Sequence, residues 1–197
     1  FLTKQGLNNF NKLKSFRILK YVITANKYKN NSFGNKFQHA ALVNTDLRLQ
    51  SSKSVTPGFL LAALLWPRLI EAAKENGSLN LRKFFRNMDR IIREQQQLTA
   101  IPRKFHGYIK EIWSLQLKLE TRLGHQPYKI LNHPRFRAAY DFLLLREQAA
   151  EDAQGIGNWW TKFQQINRPK KIEMLQTLRK SRKTPVEKKF GFLEELS

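Results

Sequence analysis

From Phe37 onward apolar and polar positions recur with the period of an α-helix, and strand-type alternation is nearly absent. The segment VTPGFLLAALLW sets Thr56 as an N-cap and Pro57 at the first helical position, where a missing N–H costs nothing. The wide apolar face from Leu60 to Trp66 is expected to form the central core, and Gly77 to stop the helix. Pro67 removes the bond to the Ala63 carbonyl, which predicts a kink or an early break near Trp66.

The next segment places Leu81, Phe84, Phe85, Met88, Ile91 and Ile92 on one helical face, with Arg82, Lys83, Arg86, Arg90 and Arg93 around the rest. A further helix is expected from near Pro102 to Gly124, burying Phe105, Tyr108, Ile109, Ile112, Leu115 and Leu119. The short PYKIL helix should end by Asn132, because Pro134 disfavours helical geometry at His133, and a new helix should begin at Pro134. GIGNWWTKFQQ reads as a last, shorter helix. Together these predict an all-α body of about five or six helices, over residues 37–166. Residues 1–36 are read as a poorly matched remnant of an upstream region, and residues 167–197 as a basic, largely disordered, flexible C-terminal tail.

Charge changes the picture. The 197 residues carry 36 Lys and Arg against 15 acids, a net charge of +21. Solubility needs far less, so a polyanionic partner is implied, nucleic acid first and an anionic membrane surface or DNA second. The absence of cysteine removes disulfides, thiolate metal sites and thiol nucleophiles, and suits a reducing, cytoplasmic setting. The longest apolar run, Phe59 to Trp66, is far short of the ~20 residues of a membrane span. The acid-free opening stretch has some features of a targeting peptide, but it holds a single arginine and much Asn and Lys.

Catalytic patterns are missing. His39, His106, His125 and His133 show no metal-ligand spacing, GIGN lacks the strand and third glycine of a dinucleotide loop, and no Asp-x-Asp offers paired carboxylates for two metal ions. Neither a catalytic residue nor a metal site is assigned.

The stretches NTDLRLQSSKSVTPGFLLAALLW, AIPRKFHGYIKEIWSLQLKLETRLG, LNHPRFRAAYDFLLLR and WWTKFQQ, in this order and spacing, resemble the C-terminal half of bacterial poly(A) polymerase over about Ala40 to Gln165. The resemblance implies a helical body that holds RNA near its 3′ end, in an enzyme that adds AMP from ATP for mRNA polyadenylation and RNA decay. ATP and magnesium would be bound by a catalytic head upstream of Phe1, so this chain holds no cofactor and is expected to bind RNA without catalysis. The head would be absent or separately encoded, and the chain a fragment or split product, monomeric and not membrane-bound. The alternatives are a stand-alone RNA-binding or interaction protein, and the C-terminal part of a tRNA CCA-adding nucleotidyltransferase.

The candidate contacts are cations. Arg135 and Arg137 stand in the first turn of the helix expected at Pro134, where they oppose its dipole at a cost of roughly several tenths of a kcal/mol. A phosphate accepting the free N–H groups and both guanidinia would offset that cost. The competing reading pairs Arg137 with Asp141 and Arg135 with an acid of a neighbouring helix, and it carries slightly more weight because first-turn arginines pair in ordinary bundles. Arg103 and Lys104 are phosphate contacts or solvated charge in equal measure. In the tail, Lys170, Lys171, Arg179, Lys180, Arg182 and Lys183 are expected to meet RNA through counterion release. Trp159, Trp160 and Tyr108 suit base stacking, though at helical spacing such aromatics are more often core.

Overall fold

A computed structural model of the chain describes residues 32–149 and 155–183. Eight helices and one two-stranded hairpin are formed among them. Helix α1 (Ser32–Gln50) runs across the expected boundary at residue 37 and buries Phe37, Ala40, Ala41 and Leu42. The rest of the 1–36 segment lies outside the described residues.

Helix α2 (Pro57–Ala73) is the centre of the body, packed by α1 and by the two helices that follow it, α3 (Leu81–Leu98) and α4 (Lys104–Thr121). Every residue from Leu60 to Pro67 is buried, as its unbroken apolar run requires. Pro67 does not end the helix early. The lost bond is outweighed by packing on all sides, and side-chain donors serve the carbonyls nearby: Gln38 Nε2 donates to Leu64 O at 2.8 Å and Trp113 Nε1 to Ala62 O at 3.0 Å.

The stop expected at Gly77 comes four residues sooner, at Ala73. Gly77 instead turns a hairpin between β1 (Lys74–Glu75) and β2 (Ser78–Leu79), paired antiparallel with Lys74 opposite Leu79. Asn76 and Gly77 have φ of 49° and 79°, the two left-handed residues a type I′ turn demands and an Asn-Gly pair supplies. The Asn80 side chain then caps α3, accepting from the Lys83 N–H at 3.0 Å.

Phe84, Met88, Ile91 and Ile92 of α3 enter the core as the spacing requires, whereas Phe85 is 52% exposed. In α4 the core residues are Ile109, Ile112, Leu115, Leu119 and also Trp113, while Phe105 and Tyr108 are only partly buried. Helix α4 ends in a left-handed Arg122, φ 47°, two residues before Gly124.

Helices α5 (Gln126–Leu131), α6 (Phe136–Gln148) and α7 (Ile156–Gln165) close the far side. Phe142 of α6 meets Phe37, Phe59 and Trp66 at ring separations of 5.3 to 5.9 Å, joining α1, α2 and α6 in one aromatic core. Trp160 of α7 is fully buried and donates to Leu119 O at 2.9 Å, so it is a core residue. Trp159 stacks on Phe163 with centroids 4.7 Å apart.

Within the 167–197 segment expected to be a largely disordered arm, Arg168–Lys183 form a helix, α8. Its few apolar residues suffice because Met174 and Leu175 sit together against the core and the Lys171 ammonium lies 5.3 Å over the Phe163 ring. Residues 184–197 lie outside the described part. No helix among the described residues is long and apolar enough to cross a membrane.

Candidate nucleic-acid interface

A groove of about 530 Å³ opens between the second half of α1, the loop before α2, Tyr108 of α4 and one face of α6 from its start to Gln148. Its cations are Arg48, Lys53, Arg135 and Arg137, and its apolar floor includes Phe59, Tyr108 and Leu145. The sequence brings them together by punctuation. Pro57 starts α2 and Pro134 precedes α6, so two helix N-termini, each a partial positive charge, lie beside the same groove.

Helix α6 begins at Phe136, two residues later than Pro134, which makes Arg135 the residue before the first turn. Two of the N–H groups expected to be free are already used: Arg135 N donates to His133 Nδ1 at 3.1 Å and Phe136 N to His133 O at 2.8 Å. His133 thus accepts from the chain just ahead of α6, in keeping with a surface or capping role for the histidines. The pairing reading is what the geometry shows. Arg137 Nε lies 3.2 Å from Asp141 Oδ1, and Arg135 Nε lies 3.3 Å from Glu111 Oε2 on α4. Asp141 also faces Arg48, Oδ2 to Nη1 at 3.8 Å, so one carboxylate orients two guanidinia.

These pairs do not close the site. The side chains of Arg135 and Arg137 remain 46% and 75% exposed. Both pairs are made through Nε, so the terminal amino groups of each fork are not spent in them. The Arg135 guanidinium sits 4.8 Å over the Tyr108 ring, and that of Arg137 5.7 Å over Tyr140. Burial raises the Tyr108 phenol above its ordinary pKa, against a Thr56 hydrogen bond and the nearby Arg135 charge, which act the other way. Tyr108 is therefore a neutral, half-buried aromatic wall between the cations.

The other sequence candidates stand elsewhere. Arg103 and Lys104 are exposed at the start of α4, Lys104 Nζ lying 5.3 Å over Phe105, and neither lines the groove. Lys170, Lys171 and Arg179 lie on α8, none of whose residues lines the groove. Lys180, Arg182 and Lys183 fall within the span of α8, with side chains outside the described part. Arg48 and Lys53 are the groove cations not foreseen. Their one sequence signal is the RLQSSKS stretch, a helix-ending arginine and a Ser-Lys-Ser loop just before a Pro-started helix. Among the described residues no three His, Asp or Glu side chains come together to hold a metal ion.

Residues 76–190, more than half the chain, match the family described as polymerase A arginine-rich C-terminus. The chain belongs to that family. Poly(A) polymerase I of Escherichia coli O157:H7 is 37% identical over 143 residues, covering 70% of this chain and 31% of the relative, and that of Salmonella typhi is 36% identical over the same length. Poly(A) polymerase I of Haemophilus influenzae is 28% identical over 193 residues, 93% of this chain and 43% of its own. The chain therefore spans less than half the length of these poly(A) polymerase relatives. The match to the arginine-rich C-terminus takes in α3 to α8, including Arg135, Arg137 and the whole basic helix that follows the body.

Proposed function

We propose that this chain is the RNA-holding body of a bacterial-type poly(A) polymerase. In this reading the groove grips the backbone of single-stranded RNA near its 3′ end, and α8 adds a second, electrostatic hold. The carrying observation is that Arg48 and Lys53 from one stretch of the chain, and Arg135 and Arg137 from another far along it, line one groove. Guanidinium forks with donors in solvent are suited to pairing with phosphate oxygens.

Adenylate transfer from ATP, with magnesium, belongs in this proposal to a catalytic head, within the part of the relatives that this chain does not span. The chain by itself is then an RNA binder without catalysis, in the cytoplasm, acting with that head. The test is binding of the purified 197-residue chain to labelled single-stranded RNA across a salt series, with duplex DNA as competitor. A steep salt slope and preference for RNA are expected. Equal preference for duplex DNA would overturn the reading.

A further inference from the structure

The outer face of α3 takes no part in the groove. Arg82, Phe85, Asp89 and Arg93 recur there at i, i+3, i+7 and i+11, with Arg86 beside them; the Phe85 ring rests edge-to-face against the buried Phe84 ring, centroids 5.5 Å apart. All five are exposed, and Phe85 keeps 52% of its surface although its neighbour Phe84 is fully buried. A second phenylalanine is not needed to anchor this helix. The acid of the face, Asp89, is taken by Lys110 of α4 at 3.0 Å. Glu75, which feels Arg86 through space, is bonded to Lys83 at 2.9 Å. Among the described residues Arg82, Arg86 and Arg93 form no ion pair, so the face presents three unneutralised guanidinia around one exposed ring. From Arg82 to Arg93 it extends about 16 Å at 1.5 Å per residue.

We propose that the outer face of α3 is a second contact for single-stranded RNA, with a base stacked on Phe85 and the flanking phosphates held by Arg82, Arg86 and Arg93. Stacking on an exposed aromatic ring and pairing with guanidinium forks are the two chemistries that bind an unpaired strand without regard to sequence. An acidic peptide would satisfy the arginines and leave Phe85 unused; a duplex would keep its bases from the ring. The proposal rests on the proposed function for the class of ligand, and none of its residues lines the groove.

The test compares the full chain with Phe85→Ala, Phe85→Trp, the triple variant Arg82→Gln, Arg86→Gln, Arg93→Gln, and the groove variant Arg135→Gln, Arg137→Gln. The probe is a fluorescent single-stranded oligoribonucleotide carrying 4-thiouridine, for affinity across a salt series and for crosslink mapping. All these positions are exposed, so the variants fold, as circular dichroism verifies. Phe85→Ala is expected to weaken binding about tenfold with the salt slope unchanged, and Phe85→Trp to restore it. The triple variant is expected to lower the salt slope by up to about three, and crosslinks to map to the peptide that holds Phe85. Wild-type affinity for Phe85→Ala with no crosslink on α3, while the groove variant weakens, overturns this inference alone. Unchanged binding by every variant overturns it together with the groove. Competition by polyglutamate as strong as by polyuridylate overturns RNA as the ligand.

Discussion

Helix α6 carries arginines at both ends, and they live in opposite surroundings. Arg135 and Arg137 stand at its start, paired with the exposed Glu111 and the half-buried Asp141, and are themselves 46% and 75% exposed. Arg146, near its end, is 6% exposed, pairs with Glu120 at 2.7 Å, donates to Gln116 at 3.3 Å and lies 5.0 Å over the Trp66 ring. A cation taken out of water must have its donors met by the fold, and Arg146 does. Those of the first turn keep donors to spare. The same residue type is thus a structural tie at one end of a helix and a largely exposed cation with donors to spare at the other, and the sequence distinguishes them only through what packs around them.

The sharpest way to break the contrast is Arg146→Ala. Removing a buried guanidinium strips Glu120 and Gln116 of their partner and uncovers Trp66, so a loss of about 3 kcal/mol is expected in urea or thermal unfolding. Arg146→Lys is expected to recover little of it, since an ammonium cannot reproduce the planar fork. At the other end, Arg135→Gln with Arg137→Gln should leave stability within about 1 kcal/mol of wild type, because exposed ion pairs contribute little. It should lower the slope of RNA affinity against salt by about two. A large stability loss there would make the first-turn arginines structural and dissolve the comparison.

Asp46 on α1 supplies a third case, an ion with its needs unmet. Its Oδ1 is buried without a hydrogen-bond partner, and burial holds its carboxyl above the ordinary pKa. A raised carboxylate pKa means the folded chain binds the proton more tightly than the unfolded one, so the Asp46 contribution to stability should become more favourable as pH falls from neutrality through the folded-state value. Asp46→Ala is expected to stabilise the protein by about 1 kcal/mol at neutral pH, with the gain shrinking as Asp46 protonates in the parent. The smallest effect expected is at Gly58, where an added Cβ would meet Tyr108 Cδ1 at 2.9 Å. Gly58→Ala should shift the Tyr108 ring and change its fluorescence or NMR signals more than it changes stability, because the gain in helix propensity offsets the crowding.

Local signals made the central helices legible. Pro57 starting α2, the unbroken run from Leu60 to Trp66 and the spacing through α3 each name an element and its buried side. The hairpin at Asn76-Gly77 was missed although the dipeptide is a strong local turn signal, because only two residues flank it on each side. Helix α8 was missed for a different reason. Met174 and Leu175 make too narrow a stripe to be read without the body they dock on. In the site, Arg135 and Arg137 could be singled out because charge at a helix start conflicts with its dipole. Arg48 and Lys53 could not, since their convergence with α6 depends on how α1 crosses the body. For the same reason Phe85 reads as core by spacing and stands outside it in the fold.

Pro67 gives this body a particular order of assembly. With a bond missing in its own middle, α2 has less reason than its neighbours to be helical alone, and the side chains serving its flanking carbonyls come from Gln38 of α1 and Trp113 of α4. Those two residues lie 26 and 51 positions away along the chain from the carbonyls they reach. The hub of the structure is therefore completed only as its spokes arrive, and folding should proceed by joint docking of three helices rather than by growth outward from a preformed one.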